Sequence, residues 1–281
     1  MKRKLASTGL ALVLSFAGLV LARIGPAPLQ FLPEELAQRA KWEAFLEAAE
    51  VIGSTQLTGA DAVTSPWVLT LKVGDVTNRG LWKNAQGRMG GYWEGWAYEI
   101  AAYRLDKYLG LGMIPPTVER RFRGDRGSCQ FWVEGCMSLR DKEAKGIKTP
   151  PAKVQGWNRA TYLQRLFDNL IANEDRHQNQ ILITPDWRMV LIDHSRSFRT
   201  SGRFIKGLLY SAKNVDGPKL MSELPRALVE KVKALDFVSI RSAVGDYLSD
   251  EEIRAVLIRR DLILAEIDRL VKVNGEGKVF Y

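Results

Sequence analysis

Residues 166–198 read LFDNLIANEDRHQNQILITPDWRMVLIDHSRSF. Leu166, Phe167, Leu170 and Ile171 repeat at helical spacing, so the stretch opens as the end of a helix. A polar turn, NEDRH, follows at 173–177, and after it come two short β-rich runs at 180–184 and 188–193. Pro185 and Asp186 between them carry turn chemistry, because proline presets φ and aspartate bonds its own backbone. A hairpin turning there returns Asp193 to the side of Asn179 and Gln180, within one register step. Asp175 and Asp193, 18 positions apart, therefore converge at one end of a short ladder. The chain's 2 histidines, His177 and His194, converge with them. Two carboxylates and two imidazoles gathered at one strand end mark the candidate active site.

The rest of the chain, 281 residues in all, is long enough for one large domain or two lobes with cores of their own. Hydrophobic residues at 46% and charged residues at 26% exclude a disordered or fibrous chain. The formal net charge is +9, and Lys2, Arg3 and Lys4 supply part of it. The remaining surplus suits an anionic ligand such as a nucleotide, an acidic protein or a lipid headgroup, and equally suits plain solubility. No nucleic-acid motif accompanies it, so nucleic acid is not an expected partner. Cys129 and Cys136 on one extended strand would stand about 23 Å apart, beyond disulfide reach, although a turn at Gly135 would shorten that. Free thiols are expected, and no metal-ligand spacing is present.

At the start, Lys2-Arg3-Lys4 precedes an uncharged, mostly apolar run at 5–22, the pattern of an export signal. A cleaved signal peptide and an uncleaved membrane anchor both fit a run of this length. The positive flank places the remainder of the chain outside the cytoplasm either way: periplasmic, extracellular, or tethered to the membrane. The lack of an Asn-x-Ser/Thr sequon and the scarcity of cysteine fit a bacterial envelope protein better than a eukaryotic secreted one.

Four segments are expected: 1–22, the signal or anchor; 23–50, a linker and helix; 51–140, a β-rich lobe; and 141–281, a helical lobe holding the hairpin. Strands are expected at 51–57, 67–73 and 79–83, and a second hairpin at 117–123 and 129–134. The loop at 58–66 is small enough to fold over a phosphate, but a single glycine fits an ordinary connection better. A helix is expected over 92–109, with Glu99 beside its apolar stripe and in need of a cationic partner. Residues 141–155 read as a connector. Ser249 and Glu252 form a capping box that starts a long C-terminal helix ending near Asn274-Gly275. Arg259 and Arg260 on that helix read as surface charges, Asp168 as a structural acid, both histidines as loop braces, and Trp93, Trp96 and Trp132 as packing.

Lys83 thus stands on a strand and Glu99 on the helix after it. A strand lysine held by a helix glutamate is how kinases grip nucleotide phosphates, while two acids in the second lobe serve metal and substrate. NEDRH at 173–177, a hairpin, and Ile192-Asp193-His194 with Phe198 beyond resemble the atypical kinases with a DRH motif. These are the phosphoinositide kinases, the HipA-type kinases and, nearest in pattern, the secretory-pathway kinases of the Golgi casein kinase type. The resemblance implies an α+β, bilobal, protein-kinase-like fold that transfers the γ-phosphoryl of ATP to a hydroxyl acceptor, above all on a protein. It implies Asp175 as the catalytic acid/base residue, Asp193 as ligand to Mg2+ or Mn2+, Lys83 on the α/β-phosphates and Glu99 orienting it. Residues 130–134, with Val133 and Glu134, would lead into the adenine hinge. Kinase-like enzymes usually carry Asn five residues after the catalytic Asp as a second metal ligand, and here Gln180 occupies that position. That departure keeps open an inactive nucleotide-binding scaffold of the envelope, and a phosphoinositide-type lipid kinase stands as a further alternative.

Overall fold

The computed structural model of the chain describes residues 30–59, 63–211 and 222–281, so the export segment expected at 1–22 lies outside them. Among the described residues no helix is long and apolar enough to cross a membrane. Pro33 opens α1 (Pro33–Ala37), with Glu34 and Glu35 at its positive end, and α2 (Arg39–Ala48) follows after Gln38. Then come β1 (Glu50–Gln56), β2 (Trp67–Val73), β3 (Val76–Lys83), β4 (Gln86–Met89), β5 (Tyr92–Gly95), α3 (Trp96–Leu109), β6 (Thr117–Phe122) and β7 (Asp125–Phe131). Five of these strands form one antiparallel sheet in the order β1-β2-β3-β7-β6.

Strand alternation gives this sheet two different faces. Leu69, Leu71, Trp82, Val118 and Cys129 pack against Phe45, Leu46 and Ala49 of α2, forming a first core. Leu81 and Lys83 therefore point to the opposite face. Cys129 is buried there as a free thiol, and burial pushes its pKa up to about 12.

The helix expected over 92–109 begins only at Trp96. Residues 92–95 pair instead with 86–89 in a separate two-stranded hairpin. Gly90 and Gly91 close its turn at φ 56° and 90°, where a side chain would be strained, and extended Gly95 ends it as the helix N-cap. Trp93 consequently stands 62% exposed on the hairpin rather than packed.

The second lobe contains β8 (Met137–Ser138), α4 (Leu139–Ala144), α5 (Val154–Ile171), β9 (Ile181–Ile183) and β10 (Met189–Leu191). After them come α6 (Gly202–Ile205), α7 (Arg226–Lys233), α8 (Phe237–Val244), α9 (Asp250–Asn274) and α10 (Glu276–Val279). The expected connector at 141–155 holds α4, started by a reciprocal Ser138–Asp141 capping box, and the first residues of α5. β9 and β10 pair as Ile181 with Leu191, and the Ile192 amide donates to the Gln180 carbonyl, so Asp193 returns beside Asn179 as the spacing predicts. β8 completes this small sheet in the order β10-β9-β8.

Helix α9 starts at the Ser249–Glu252 box and stops at Gly275, as expected. Arg259, expected at the surface, is only 1% exposed. Its guanidinium donates to the carbonyls of Leu170, at the end of α5, and Arg199. Those last helix carbonyls need donors, and a long side chain from a neighbouring helix supplies one. With no carboxylate partner among the described residues, burial pulls the Arg259 guanidinium down to about 9.

A second core unites the helices. Phe167 and Leu170 of α5, Val232 of α7, Ile240 of α8 and Val256 and Ile263 of α9 pack with Tyr103, Leu105 and Leu109 of α3. The helix that carries Glu99 is therefore embedded in the helical lobe as well as lying beside the sheet.

Candidate active site

Lys83 ends β3, and its Nζ donates to Glu99 Oε1 and to Asp193 Oδ1, each at 2.7 Å. Lys83 and Glu99 are almost fully buried, at 6% and 3% exposed. Burial works against the lysine's charge, but Asp193 and Glu99 outweigh it and hold the pKa above the ordinary lysine value. Burial likewise opposes the Glu99 carboxylate, and Lys83 with His194 outweighs it, keeping Glu99 well below the usual carboxylate range. Glu99 Oε2 accepts from the backbone N–H of His194 at 2.8 Å. One helix carboxylate thus ties β3 to the segment that follows β10.

Asp193 has φ 60°, the left-handed region. Its Oδ1 also accepts from Ser195 Oγ at 3.0 Å, and its side chain stays 37% exposed to the cleft. Phe198, at φ 59°, is buried against Tyr98, with ring centroids 5.7 Å apart, and its N–H donates to the Ile171 carbonyl.

Beneath these residues lies Arg176. It forks onto the fully buried Asp168 at 2.9 and 3.0 Å, and donates to the carbonyls of Ile192 at 2.7 Å and Gln180 at 3.1 Å. Its Nη2 lies 2.9 Å from His194 Nε2. A guanidinium only donates, so Nε2 accepts and the ring proton belongs on Nδ1, which faces Glu99 Oε2 at 3.6 Å. Burial lowers the His194 pKa, so this ring is a neutral brace. Asp168 proves structural, bonded by the side chains of Gln164, Asn173 and Arg176.

Asp175 stands at the cleft with both carboxylate oxygens engaged. Oδ1 pairs with Arg196 Nη1 at 3.0 Å, and Oδ2 accepts from Gln180 Nε2 at 3.2 Å. Gln180 Oε1 in turn accepts from the His177 N–H at 3.4 Å. The residue expected as a second metal ligand is thus buried with its amide folded between Asp175 and His177. The extra methylene of glutamine lets it close a capping box on its own turn.

At the far end of the cleft, the Trp132 N–H donates to the Arg79 carbonyl at 3.0 Å. The Arg79 guanidinium lies over the Trp132 ring at 4.6 Å and forks onto Glu134, whose carboxylate is exposed. Val133 lines a cavity of about 220 Å³ with Phe31, Trp42, Pro115 and Phe131 on the α2 side. What 133–134 can offer a base is therefore backbone rather than side chain. The loop at 58–66, expected as an ordinary connection, joins the antiparallel pair β1 and β2 and falls partly at 60–62, outside the described residues.

Sequence reasoning passes over two charged residues here. Arg196 Nε donates to Glu94 Oε1 at 2.6 Å, and both side chains are largely buried. The one available signal is the place of Arg196, three residues after Asp193. Nothing in the spacing marks Glu94, because the hairpin that carries it continues the periodicity of the helix.

Among the described residues, no cluster of three or more His, Cys, Asp or Glu would hold a metal ion unaided. A single cleft carboxylate, Asp193, still fits Mg2+ or Mn2+, which take one or two protein carboxylates and complete their shell with substrate phosphate and water.

No family model and no curated relative matches the sequence. Solved structures do match. Hydra Fam20 with sugar superposes at a TM-score of 0.63 and 14% identity, over 87% of this chain and 92% of that one. The Golgi casein kinase superposes at 0.60 and 14%, over 87% and 77%. The Golgi casein kinase with Mn/ADP bound superposes at 0.58 and 13%, over 87% and 78%. The chain therefore has the two-lobed α+β fold of the Fam20-type kinases.

Proposed function

We propose that this protein is an exported phosphotransferase that moves the γ-phosphoryl group of ATP to a hydroxyl on an acceptor, in the first instance a protein. The observation that carries the reading is the Lys83–Glu99–Asp193 set, assembled from three elements and two lobes, with Asp175 open to the same cleft. A buried ion pair so arranged exposes one charge, Asp193, and braces it with another, Lys83. Lys83 holds the α/β-phosphates and Glu99 fixes its direction. Backbone at Val133 and Glu134 receives the adenine. Asp193 holds the Mg2+ or Mn2+ ion, which neutralises phosphate charge when bound. Gln180 fixes the rotamer of Asp175, and Asp175 orients the acceptor hydroxyl and takes its proton. Positioning and charge neutralisation supply most of what phosphoryl transfer asks of a protein. The export half of the reading rests on residues 2–22.

Thermal-shift titration with ATP and either metal, followed by a γ-phosphate transfer assay on a general protein acceptor, tests the reading. The wild type binds and transfers, while Asp175→Asn and Asp193→Asn fold but transfer about 100-fold or more slowly. Binding without turnover supports the inactive nucleotide-binding scaffold instead, and no binding overturns both.

A further inference from the structure

We propose that Arg196 is a further catalytic residue, a guanidinium poised to grip the phosphoryl group while it passes to the acceptor. The inference rests on the phosphotransferase reading above. Its basis is the chain of contacts Glu94–Arg196–Asp175. Arg196 Nε donates to Glu94 Oε1 at 2.6 Å, Nη1 pairs with Asp175 Oδ1 at 3.0 Å, and the guanidinium lies over the Tyr92 ring at 4.4 Å. Glu94 is only 3% exposed, and its second oxygen has no hydrogen-bond partner among the described residues. A carboxylate is costly to bury with half its capacity unused, and the Arg196 guanidinium is the charge that compensates Glu94. The hairpin carrying Glu94 is itself fastened to the segment after Asp193. The Gly95 N–H donates to the Ser195 carbonyl at 2.9 Å, and Arg199 Nη2 donates to the Trp93 carbonyl at 2.6 Å.

The geometry places Arg196 where charge develops. A hydroxyl oriented by Asp175 sits about 2.6–3.2 Å from its carboxylate. The phosphorus it attacks lies roughly 3–3.5 Å further on. Arg196 Nη1 already stands 3.0 Å from the same carboxylate. Anchored through Nε, the guanidinium can turn both terminal nitrogens toward phosphoryl oxygens in the fork that suits arginine. The other cations nearby are taken. Lys83 serves the α/β-phosphates in the reading above, and Arg176 is buried on Asp168.

The acceptor oxygen then forms its bond to phosphorus as the bond to the β–γ bridging oxygen breaks, and ADP leaves with that electron pair. The acceptor's proton passes to Asp175, which the turning of Arg196 uncovers. The pairing occupies Asp175 Oδ1, and the turning of Arg196 toward the anion releases that oxygen.

The test uses the full chain and ADP with divalent metal, with and without aluminium fluoride as a mimic of the transferring group. Wild type should bind ADP more tightly when aluminium fluoride is added. Arg196→Met should bind ADP as wild type does, lose that tightening, and lose about 100-fold or more in kcat. Arg196→Lys, which keeps the charge but not the fork, should fall between them, and it carries the test if the methionine variant does not fold. Undiminished tightening in Arg196→Met overturns the proposal even if kcat falls, because the arginine then only positions Asp175. Wild type that binds no ADP fails the phosphotransferase reading itself, and the proposal with it.

Discussion

Replacing Asp168 by asparagine exchanges one oxygen for an amide and removes one buried charge. Asp168 has no exposed surface, and the Arg176 side chain has 2%. Arg176 cannot withdraw to solvent, because Ile192, Gln180 and His194 hold its other nitrogens. The substitution therefore leaves a guanidinium buried without its counter-charge, which costs about 3–5 kcal/mol when one partner of such a pair is removed. Coulomb attraction at this range gives a similar figure, about 4 kcal/mol at an effective dielectric of 20. At roughly 2–4 °C per kcal/mol for a domain of this size, the thermal midpoint should fall by about 6–20 °C. Urea and thermal unfolding of Asp168→Asn measure both quantities. The double variant Asp168→Leu with Arg176→Met should lose less than the two single variants added together, because the mutual charge interaction is counted once, although Gln164, Asn173 and the Ile192 and Gln180 carbonyls lose partners in it. A single-variant loss under about 1 kcal/mol, the scale of a surface pair, would refute the reasoning. So would a double variant worse than the two single variants added together.

Lys83→Met should weaken ATP binding and abolish transfer while leaving the C-terminal helices folded, as titration calorimetry and circular dichroism would report. Asp175→Asn should keep ATP affinity and lose about 100-fold or more in kcat, consistent with removal of a general base; equal turnover would exclude that role. The depressed pKa of His194 makes stability pH-dependent. Above pH 6.5 the ring is neutral in both states and the contribution is intact. As pH falls from 6.5 through the folded value the unfolded state takes up the proton first, and stability declines by at most about 1.4 kcal/mol per pH unit. His194→Gln should flatten that slope in unfolding curves measured between pH 7 and 5. At Gly127 an added methyl would run into the Lys83 carbonyl and the Trp82 ring. Gly127→Ala should therefore displace β7 from β3 and weaken ATP binding together with stability, and a variant with wild-type affinity would count against this packing.

The hairpin and its two acids are legible in the sequence because their signals are local. A proline-aspartate turn, period-2 apolar runs and a helical stripe on α5 fix the register that brings Asp193 back beside Asn179. The Ser249–Glu252 box likewise marks the start of α9 to the residue. The features that stay hidden depend on partners distant in sequence or on local pairing that periodicity and residue counting pass over. The apolar spacing of Trp96, Ile100 and Tyr103 runs on smoothly from Trp93, so periodicity absorbs the start of the hairpin into a helix, and Glu94 with it. Arg259 looks like any surface arginine until α5 ends beneath it. Gln180 occupies a metal-ligand position by count, but its amide orientation follows from a local cap that the count does not contain.

The backbone at Asp193 decides how its chemistry can be probed. At φ 60° the residue sits where alanine or a branched side chain is strained by about 1–2 kcal/mol, whereas asparagine and aspartate visit that region readily. An alanine there would report two losses at once, the carboxylate and the bend that carries His194 to Glu99. Asparagine removes the charge and leaves the bend. Position 193 thus separates shape from charge: under the proposed phosphotransferase reading, one isosteric exchange should switch the site off while its scaffold stands, yielding an inert twin suited to trapping nucleotide and acceptor together.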